Sequence, residues 1–404
     1  MTRRLYLEDS HLKTCTSTVE SCRPTDRGYD VTLDQTIIFD NAGGQPCDTG
    51  SIGDAVILGC DEVNGELLHH IDRPLEIGTS YPVTLNWERR FDHMQQHTGE
   101  HLLSYSIYKL FGANNVGFHL SSGYTTIDLD RPLTQEELFE AETLANRFVS
   151  LDLSVTAVRY ETAEDLEQAG LTLRKQAEGI RMPIRIVSIQ DADCCTCCAP
   201  HVFHTGEIGS ILITESMSYK GGTRVTFLCG NRALLYTQQA RKVLSAAGRQ
   251  FSTSWTNLTE SIEKMQEELK GLHKREKELS ESLNSYLAEE LVQKAVKTGK
   301  TTLILEDVGN ATQEKLKSLA AKTIRDRNSL TVLFGKSNGR LNYVLSCSPD
   351  STCDVSELCR VVNTAVSGKG GGRGTLAQGT SPIPDAFNET VEQLRVYFRS
   401  RLKQ

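Results

Sequence analysis

Between Cys15 and about Leu85 the apolar positions come in short alternating runs, Tyr29-Asp30-Val31-Thr32-Leu33, Thr36-Ile37-Ile38-Phe39 and Ala55-Val56-Ile57-Leu58, broken by turn residues. A period of two sends successive side chains to opposite faces of a strand, and short strands at this spacing predict a small β-barrel or sandwich. One connection, Asn41-Ala42-Gly43-Gly44-Gln45-Pro46, must turn sharply or let another backbone come close. After Trp87 the period lengthens. Asp92 to Phe111 reads as a helix with Leu103, Ile107 and Leu110 as its buried stripe and Gly112 in the position of a C-cap. Tyr124 to Leu129 then reads as a strand, Thr134 to Leu151 as a helix and Ile184 to Ile189 as a strand, a mixed order that predicts an α+β domain.

From Leu258 to about Leu291 the apolar positions Leu258, Ile262, Met265, Leu269, Leu272, Leu279 and Leu283 follow a heptad rhythm, interrupted by Glu276. A helical hairpin packed on its own chain and a dimer-forming coiled coil both fit this seam. The last hundred residues alternate again: strand at Thr301 to Leu305, helix from Thr312 to Arg325, strands at Leu330 to Phe334 and Leu341 to Ser346, and a helix from Val355. They predict a compact α/β module, which contains the glycine-dense stretch Gly368-Lys369-Gly370-Gly371-Gly372-Arg373-Gly374. The expected organisation is a β-barrel over 1–90, an α+β domain over 91–250, a helical connector over 251–298 and an α/β module over 299–404.

The chain of 404 residues exceeds what one core organises. It has no run of about 18 apolar residues, and its first residues lack the apolar core of a signal peptide, so a cytoplasmic protein is expected. A formal charge of −8 excludes indiscriminate coating of nucleic acid but not a selective enzyme. Local basic clusters stand at Arg89-Arg90, Arg241-Lys242 and Lys369 to Arg373. Twelve cysteines in so long a chain fall well below the density of secreted disulfide scaffolds, which favours free thiols and metal ligands.

His97 and His101 stand four apart, so on a helix their imidazoles project from one face, one turn above each other. Cys197-Cys198-Ala199-Pro200-His201 offers a thiolate and a third imidazole, completing a nitrogen and sulfur set suited to Zn²⁺. Pro200 disfavours a helix and places the second pair on a tight loop. Other readings compete. His97-Thr98-Gly99-Glu100-His101 matches the inverted zincin pattern of a zinc peptidase, with Glu100 activating water. Cys194, Cys195, Cys197 and Cys198 could form a zinc ribbon or hold an iron–sulfur cluster, although adjacent cysteines cannot easily ligate one ion. Cys194 and Cys197 spell a redox Cys-x-x-Cys.

The two ligand pairs about a hundred residues apart, with the Gly43-Gly44-Gln45-Pro46 loop before them, resemble the editing module of alanyl-tRNA synthetases and the free-standing alanyl-tRNA editing proteins of the AlaX type, long form. Arg90 to His97, Asn115-Val116-Gly117-Phe118-His119, Thr205 to Gly209 and Lys220 to Val225 extend the likeness. Gly370-Gly371-Gly372 followed by Ala377-Gln378-Gly379 is similar to the DHH-associated domain that ends the synthetase. Two departures are Ala42 where the family's loop has a first glycine, and Cys198-Ala199-Pro200 in place of Gly-Gly-Thr; neither removes a ligand. No synthetase core is expected before the barrel.

The resemblance implies hydrolysis of the ester in alanine tRNA mischarged with serine or glycine. An alanine site cannot exclude glycine and rejects serine poorly, so a second, hydrolytic site is needed, and a polar group there must read the serine hydroxyl. Thr98, Asn115 and His119 are candidates for that group, Gly43, Gly44 and Gln45 for the substrate loop, and Glu100 for a general base. Arg89, Arg90, Lys369 and Arg373 are candidates for tRNA contact, and the heptad seam for a homodimer. A non-catalytic tRNA-binding protein with structural zinc is the remaining alternative.

Overall fold

The computed structural model describes residues 2–174, 182–325 and 327–403. The chain divides into two compact units, Met1–Gln250 and Phe251–Gln404. The first begins with β1 (Arg3–Arg4), β2 (Thr14–Thr25), β3 (Gly28–Leu33), β4 (Gln35–Thr36), β5 (Gly50–Ile52), β6 (Ala55–Val63), β7 (Glu66–Ile71) and β8 (Ser80–Leu85). Hydrogen bonding runs β2-β3-β7-β6-β5-β8, and β8 pairs back onto β2, so six strands close into a barrel. Alternation decides which side chains fill it: Ala55 and Ile57 of β6 are buried while Val56 and Leu58 are exposed. The run Thr36 to Phe39, expected as a strand, leaves strand geometry after Thr36. Ile37 and Ile38 pack into the barrel core. Phe39 packs on Tyr6 and Ala199 instead, and Asp48 satisfies its backbone, the carboxylate accepting from the Phe39 amide and the Asp48 amide donating to the Phe39 carbonyl.

The unit continues with α1 (Trp87–Phe111), β9 (Asn115–Leu120), β10 (Thr125–Leu129), α2 (Gln135–Ser150), β11 (Val155–Tyr160), α3 (Ala163–Gln168), β12 (Ile184–Ile189), β13 (Cys194–Thr196), β14 (Ile211–Tyr219), β15 (Gly222–Cys229) and α4 (Gly230–Gln250). The strands form two sheets, β14-β15-β10-β9 and β11-β12-β13. Helix α1 starts earlier than the apolar pattern suggests, because Asn86 caps it by accepting from the Arg89 amide; it ends at left-handed Gly112. It is a central helix, with every residue from His93 to Ser104 buried. At Gly99 an added Cβ would stand 2.3 Å from Cys229 Sγ, so glycine is what lets α1 lie against β15. Leu110, expected in the buried stripe, is 43% exposed: the last turn, from Tyr108, runs out past the elements that cover the rest.

In the second unit α5 (Leu258–Gln293) leads into β16 (Val296–Thr298), β17 (Thr301–Asn310), α6 (Gln313–Thr323), β18 (Ser329–Ser337), β19 (Arg340–Cys347), α7 (Val355–Ala365), β20 (Lys369–Arg373), β21 (Leu376–Pro382) and α8 (Phe387–Arg401). The sheet order is β16-β17-β18-β19-β21-β20. Its two faces alternate along each strand: Leu303, Leu305, Val332 and Phe334 pack on α7 and α8, while Ile304 and Leu333 pack on α6 and the end of α5. The earlier part of the α5 seam, Ile262, Met265, Leu269, Leu272, Leu279 and Leu283, is exposed. The glycine-dense stretch is strand β20, paired antiparallel with β21. Among the described residues no helix is long and apolar enough to cross a membrane.

Candidate metal centre and its cavity

His97 and His101 leave α1 one turn apart and face the loop that follows β13. That loop is tied down along its length. The Cys197 amide donates to the Arg185 carbonyl (3.1 Å), and Arg185 Nη1 donates to the carbonyls of Cys197 (2.9 Å) and Ala199 (2.8 Å). The Ser10 hydroxyl donates to the His201 carbonyl (2.6 Å), and the Val202 amide donates to Thr98 Oγ1 (3.3 Å). One ligand atom from each of His97, His101, Cys197 and His201 then lies within 4.8 Å of all the others, a group able to hold a metal ion. Cys197 Sγ is 3.2 Å from His201 Nε2 and 3.5 Å from His97 Nε2.

Each imidazole is oriented through its other nitrogen. His97 Nδ1 bonds Gln45 Oε1 (2.8 Å), His101 Nδ1 bonds the Asp193 carboxylate (3.0 Å) and His201 Nδ1 pairs with Thr98 Oγ1 (3.0 Å). Anchoring Nδ1 fixes the ring and leaves Nε2 for the centre, the arrangement that supports histidine ligands in metal sites. Gln45 reaches His97 because its loop sits hard against β9. The Gly44 carbonyl accepts from the Leu120 amide (2.9 Å), and at Gly44, with φ of +79°, a Cβ would stand 2.7 Å from the Phe118 carbonyl oxygen. Asp193 is in turn held by Arg174, whose Nε and Nη2 donate to its two oxygens (2.6 and 3.0 Å).

The electrostatics suit a thiolate among imidazoles. Burial opposes the charged form of Cys197, but the His97 and His201 rings and hydrogen bonding from His101 and His201 hold its thiol well below the usual range. Burial drives His201 down to about 3, with the neighbouring His101 and His97 charges pushing the same way. For Asp193, burial is outweighed by hydrogen bonds from His101 and Arg174, and its carboxyl falls below the ordinary range.

The cluster opens on a cavity of about 700 Å³ walled by His97, Glu100, His101, Asn115, Phe118 and Cys197 among others. Glu100 is buried, not turned to solvent. Its Oε1 accepts from the Ser104 hydroxyl and from Asn115 Nδ2, both at 2.6 Å, while Oε2 lies 3.9 Å from His101 Nε2. Burial disfavours its charge, yet His101 and Arg174 lead the influences that hold its carboxyl below the usual value. The inverted zincin pattern is present in sequence, but the group that contains both of its histidines is completed by Cys197 and His201, whereas the downstream acid Asp193 groups with His101 and Cys195 only.

Not every expected site residue reaches this cavity. Gly43 and Asn115 line it. Thr98 does not: it is fully buried and its hydroxyl is committed to His201 and Val202. His119 lies exposed on β9, its ring beside Tyr124. Arg90, expected to contact tRNA, is 0% exposed; it is ion-paired with Asp48 and donates to the carbonyls of Ser10 and Ile37, so no phosphate can reach it. Arg89 is half-buried, with Nε on the Cys47 carbonyl (3.1 Å). Lys369 and Arg373 are exposed on β20 of the second unit. Sequence reasoning missed Ser104, Arg174, Asp193 and Phe118. Only Asp193, directly before the cysteine run, carried a signal, an acid a few residues ahead of the ligand Cys197; Arg174 carried none.

Fold and site together define a protein assembled from synthetase-type modules. Residues 184–226, which hold β12, β13, Cys197 and His201, match the second additional domain of threonyl and alanyl tRNA synthetases, and residues 300–400 match the DHHA1 domain. The alanyl-tRNA editing protein AlaX-L of Pyrococcus horikoshii is 29% identical, covering 99% of this chain and 100% of that one. The alanyl-tRNA editing protein Aarsd1 of Bos taurus is 31% identical, covering 70% of this chain and 67% of that one. The alanine–tRNA ligase of Thermococcus kodakarensis is 29% identical over 98% of this chain and 43% of its own length. The chain belongs to the family of alanyl-tRNA editing proteins.

Proposed function

We propose that this protein hydrolyses the ester that joins a wrongly attached amino acid to the terminal ribose of alanine tRNA, serine first and glycine second, working in trans in the cytoplasm. The observation that carries the reading is the set of three imidazoles, each fixed through Nδ1, and one thiolate, of which His97, His101 and Cys197 line a cavity that also holds a buried carboxylate. Three nitrogens and one sulfur fit Zn²⁺ in number and softness, so His97, His101, Cys197 and His201 would hold it. Bound there, zinc would supply a Lewis acid that polarises the ester carbonyl or fixes the substrate amino group.

Glu100 is the general base in this reading. Ser104 and Asn115 hold Oε1, which aims Oε2 at the cavity side of His101, where it takes a proton from attacking water. Asn115 donates both amide hydrogens, to Glu100 and Ser104, and accepts from the Gly117 amide, keeping one lone pair on Oδ1 for a serine hydroxyl. Gly43 lines the same cavity. Lys369 and Arg373 supply exposed positive charge for tRNA phosphates, and the exposed α5 seam serves a second copy of the chain. Sedimentation at two concentrations tests that last point, a concentration-independent monomer excluding it.

Release of serine from charged alanine tRNA by wild type, His97→Ala and Cys197→Ala tests the function. Lost deacylation with retained fold supports it; an intact protein that releases no serine overturns it.

A further inference from the structure

The catalytic-side cavity shares one wall, Pro183, Arg185 and Cys198, with a second cavity of about 610 Å³. The second is lined by Arg3, Arg4, Arg159 and Arg185 together with Glu8 and Glu62. Three of these arginines have carboxylate partners: Arg3 with Glu8, Arg4 with Glu62 and Arg159 with Glu161. Arg185 differs. It sits on β12 between β11 and β13, is 8% exposed, and among the described residues pairs with no carboxylate. Nη1 is used on the Cys197 and Ala199 carbonyls, and Nε is buried with no partner among the described residues. The other arginines buried around this centre are neutralised, Arg90 by Asp48 and Arg174 by Asp193. Among the described residues no carboxylate offsets its charge, and the cysteines of the neighbouring loop, Cys197 and Cys198, do so only in part; a buried cation so weakly compensated is costly, and a guanidinium with a free edge matches a phosphate.

The substrate itself brings such an anion. If the ester lies at the metal cluster, the phosphate on the 5′ oxygen of the same ribose comes with it, and Arg185 stands on the wall of the same cavity. We propose that Arg185 binds this phosphate, which joins the terminal nucleoside to the rest of the tRNA strand, and that the arginine-lined second cavity takes the nucleotides before it. The inference rests on the deacylase reading above. It makes Arg185 a substrate-binding and positioning residue, and it moves the strand's path away from Arg89 and Arg90.

The test uses the full-length, metal-loaded protein with 3′-O-seryl-adenosine and 3′-O-seryl-adenosine 5′-phosphate. Wild type should prefer the phosphorylated ester in kcat/KM by about 10- to 100-fold, the worth of a charge-assisted contact. Arg185→Gln also removes the Nη1 bonds to the ligand loop, so the readout is the ratio between the two esters rather than either rate: the variant should erase the preference for the phosphorylated ester, mainly through KM, and Arg185→Lys should restore part of it. Equal slowing of both esters, or loss of metal in both variants, overturns the proposal in favour of loop support alone. Binding of adenosine 5′-phosphate against adenosine, followed by calorimetry, separates this from the deacylase reading. Tighter binding of the phosphate by wild type and not by Arg185→Gln supports the anion site even if neither ester is cleaved, and no difference overturns it.

Discussion

Arg90 is the residue whose meaning changed most between sequence and structure, and replacing it with methionine gives a sharp test. Its guanidinium and the Asp48 carboxylate are both fully buried, and the same group serves the carbonyls of Ser10 and Ile37. Arg90→Met therefore leaves Asp48 charged, unpaired and out of reach of water, a loss of about 3–5 kcal/mol of stability. The two orphaned carbonyls add to the cost, although such losses within one network do not sum. Arg90→Met with Asp48→Asn removes both charges and keeps an acceptor for the Phe39 amide, so the double variant should be clearly more stable than the single one. Urea unfolding followed by the fluorescence of Trp87, which packs on the barrel core, reads both. A single variant that loses less than about 1 kcal/mol, or a double variant no better than the single, refutes the reasoning. The same protein also answers the tRNA question: a buried arginine makes no phosphate contact, so the salt dependence of tRNA binding by folded Arg90→Met should keep its slope, whereas a lost contact lowers it by about one.

Asp193→Ala should weaken metal binding about 10- to 100-fold, because His101 loses the group that orients it; competition with a chelating dye measures this. Removal of metal by a chelator should lower the thermal midpoint of wild type and leave that of Cys197→Ala almost unmoved, since a ligand of the folded state stabilises by mass action. Thr134→Ala should cost about 1 kcal/mol in urea unfolding through loss of the capping box at α2. His70 lies between Asp30 (2.6 Å) and Asp61 (3.1 Å); partial burial works against its charge, but the two carboxylates raise its pKa above 6.5. A raised folded-state value gives stability that is complete below 6.5 and fades as pH rises through it, so the stability gap between wild type and His70→Gln should be widest in mild acid and close in mild alkali.

The ligand set was legible because helical period and loop-breaking proline act locally: four-residue spacing puts His97 and His101 on one face, and Pro200 keeps Cys197 and His201 off a helix. Regular elements with clean periods, such as Ile184–Ile189, appear with their boundaries as read. What the pattern hid depends on contacts between distant segments. The polar run from His93 to Glu100 looks like a solvated face, yet the barrel loop, the β13 loop and β15 cover it. Nothing local distinguishes Arg89, half-buried, from Arg90, wholly buried, because the difference lies in Asp48, 42 positions earlier in the chain. Thr98 was misread for the same reason, its partner being His201. Strand β20 was obscured by glycines, which carry no pattern.

The three groups that steer the imidazoles come from three separate places, Gln45 from a barrel connection, Thr98 from α1 and Asp193 from the approach to β13. Loss of the barrel would free the His97 ring even with all four ligands present. The smallest portable version of this centre therefore begins before Gln45 rather than at Trp87, and a truncation that keeps every ligand but drops the barrel should inherit the donors without their alignment. In this chain, then, barrel and helix form one functional block.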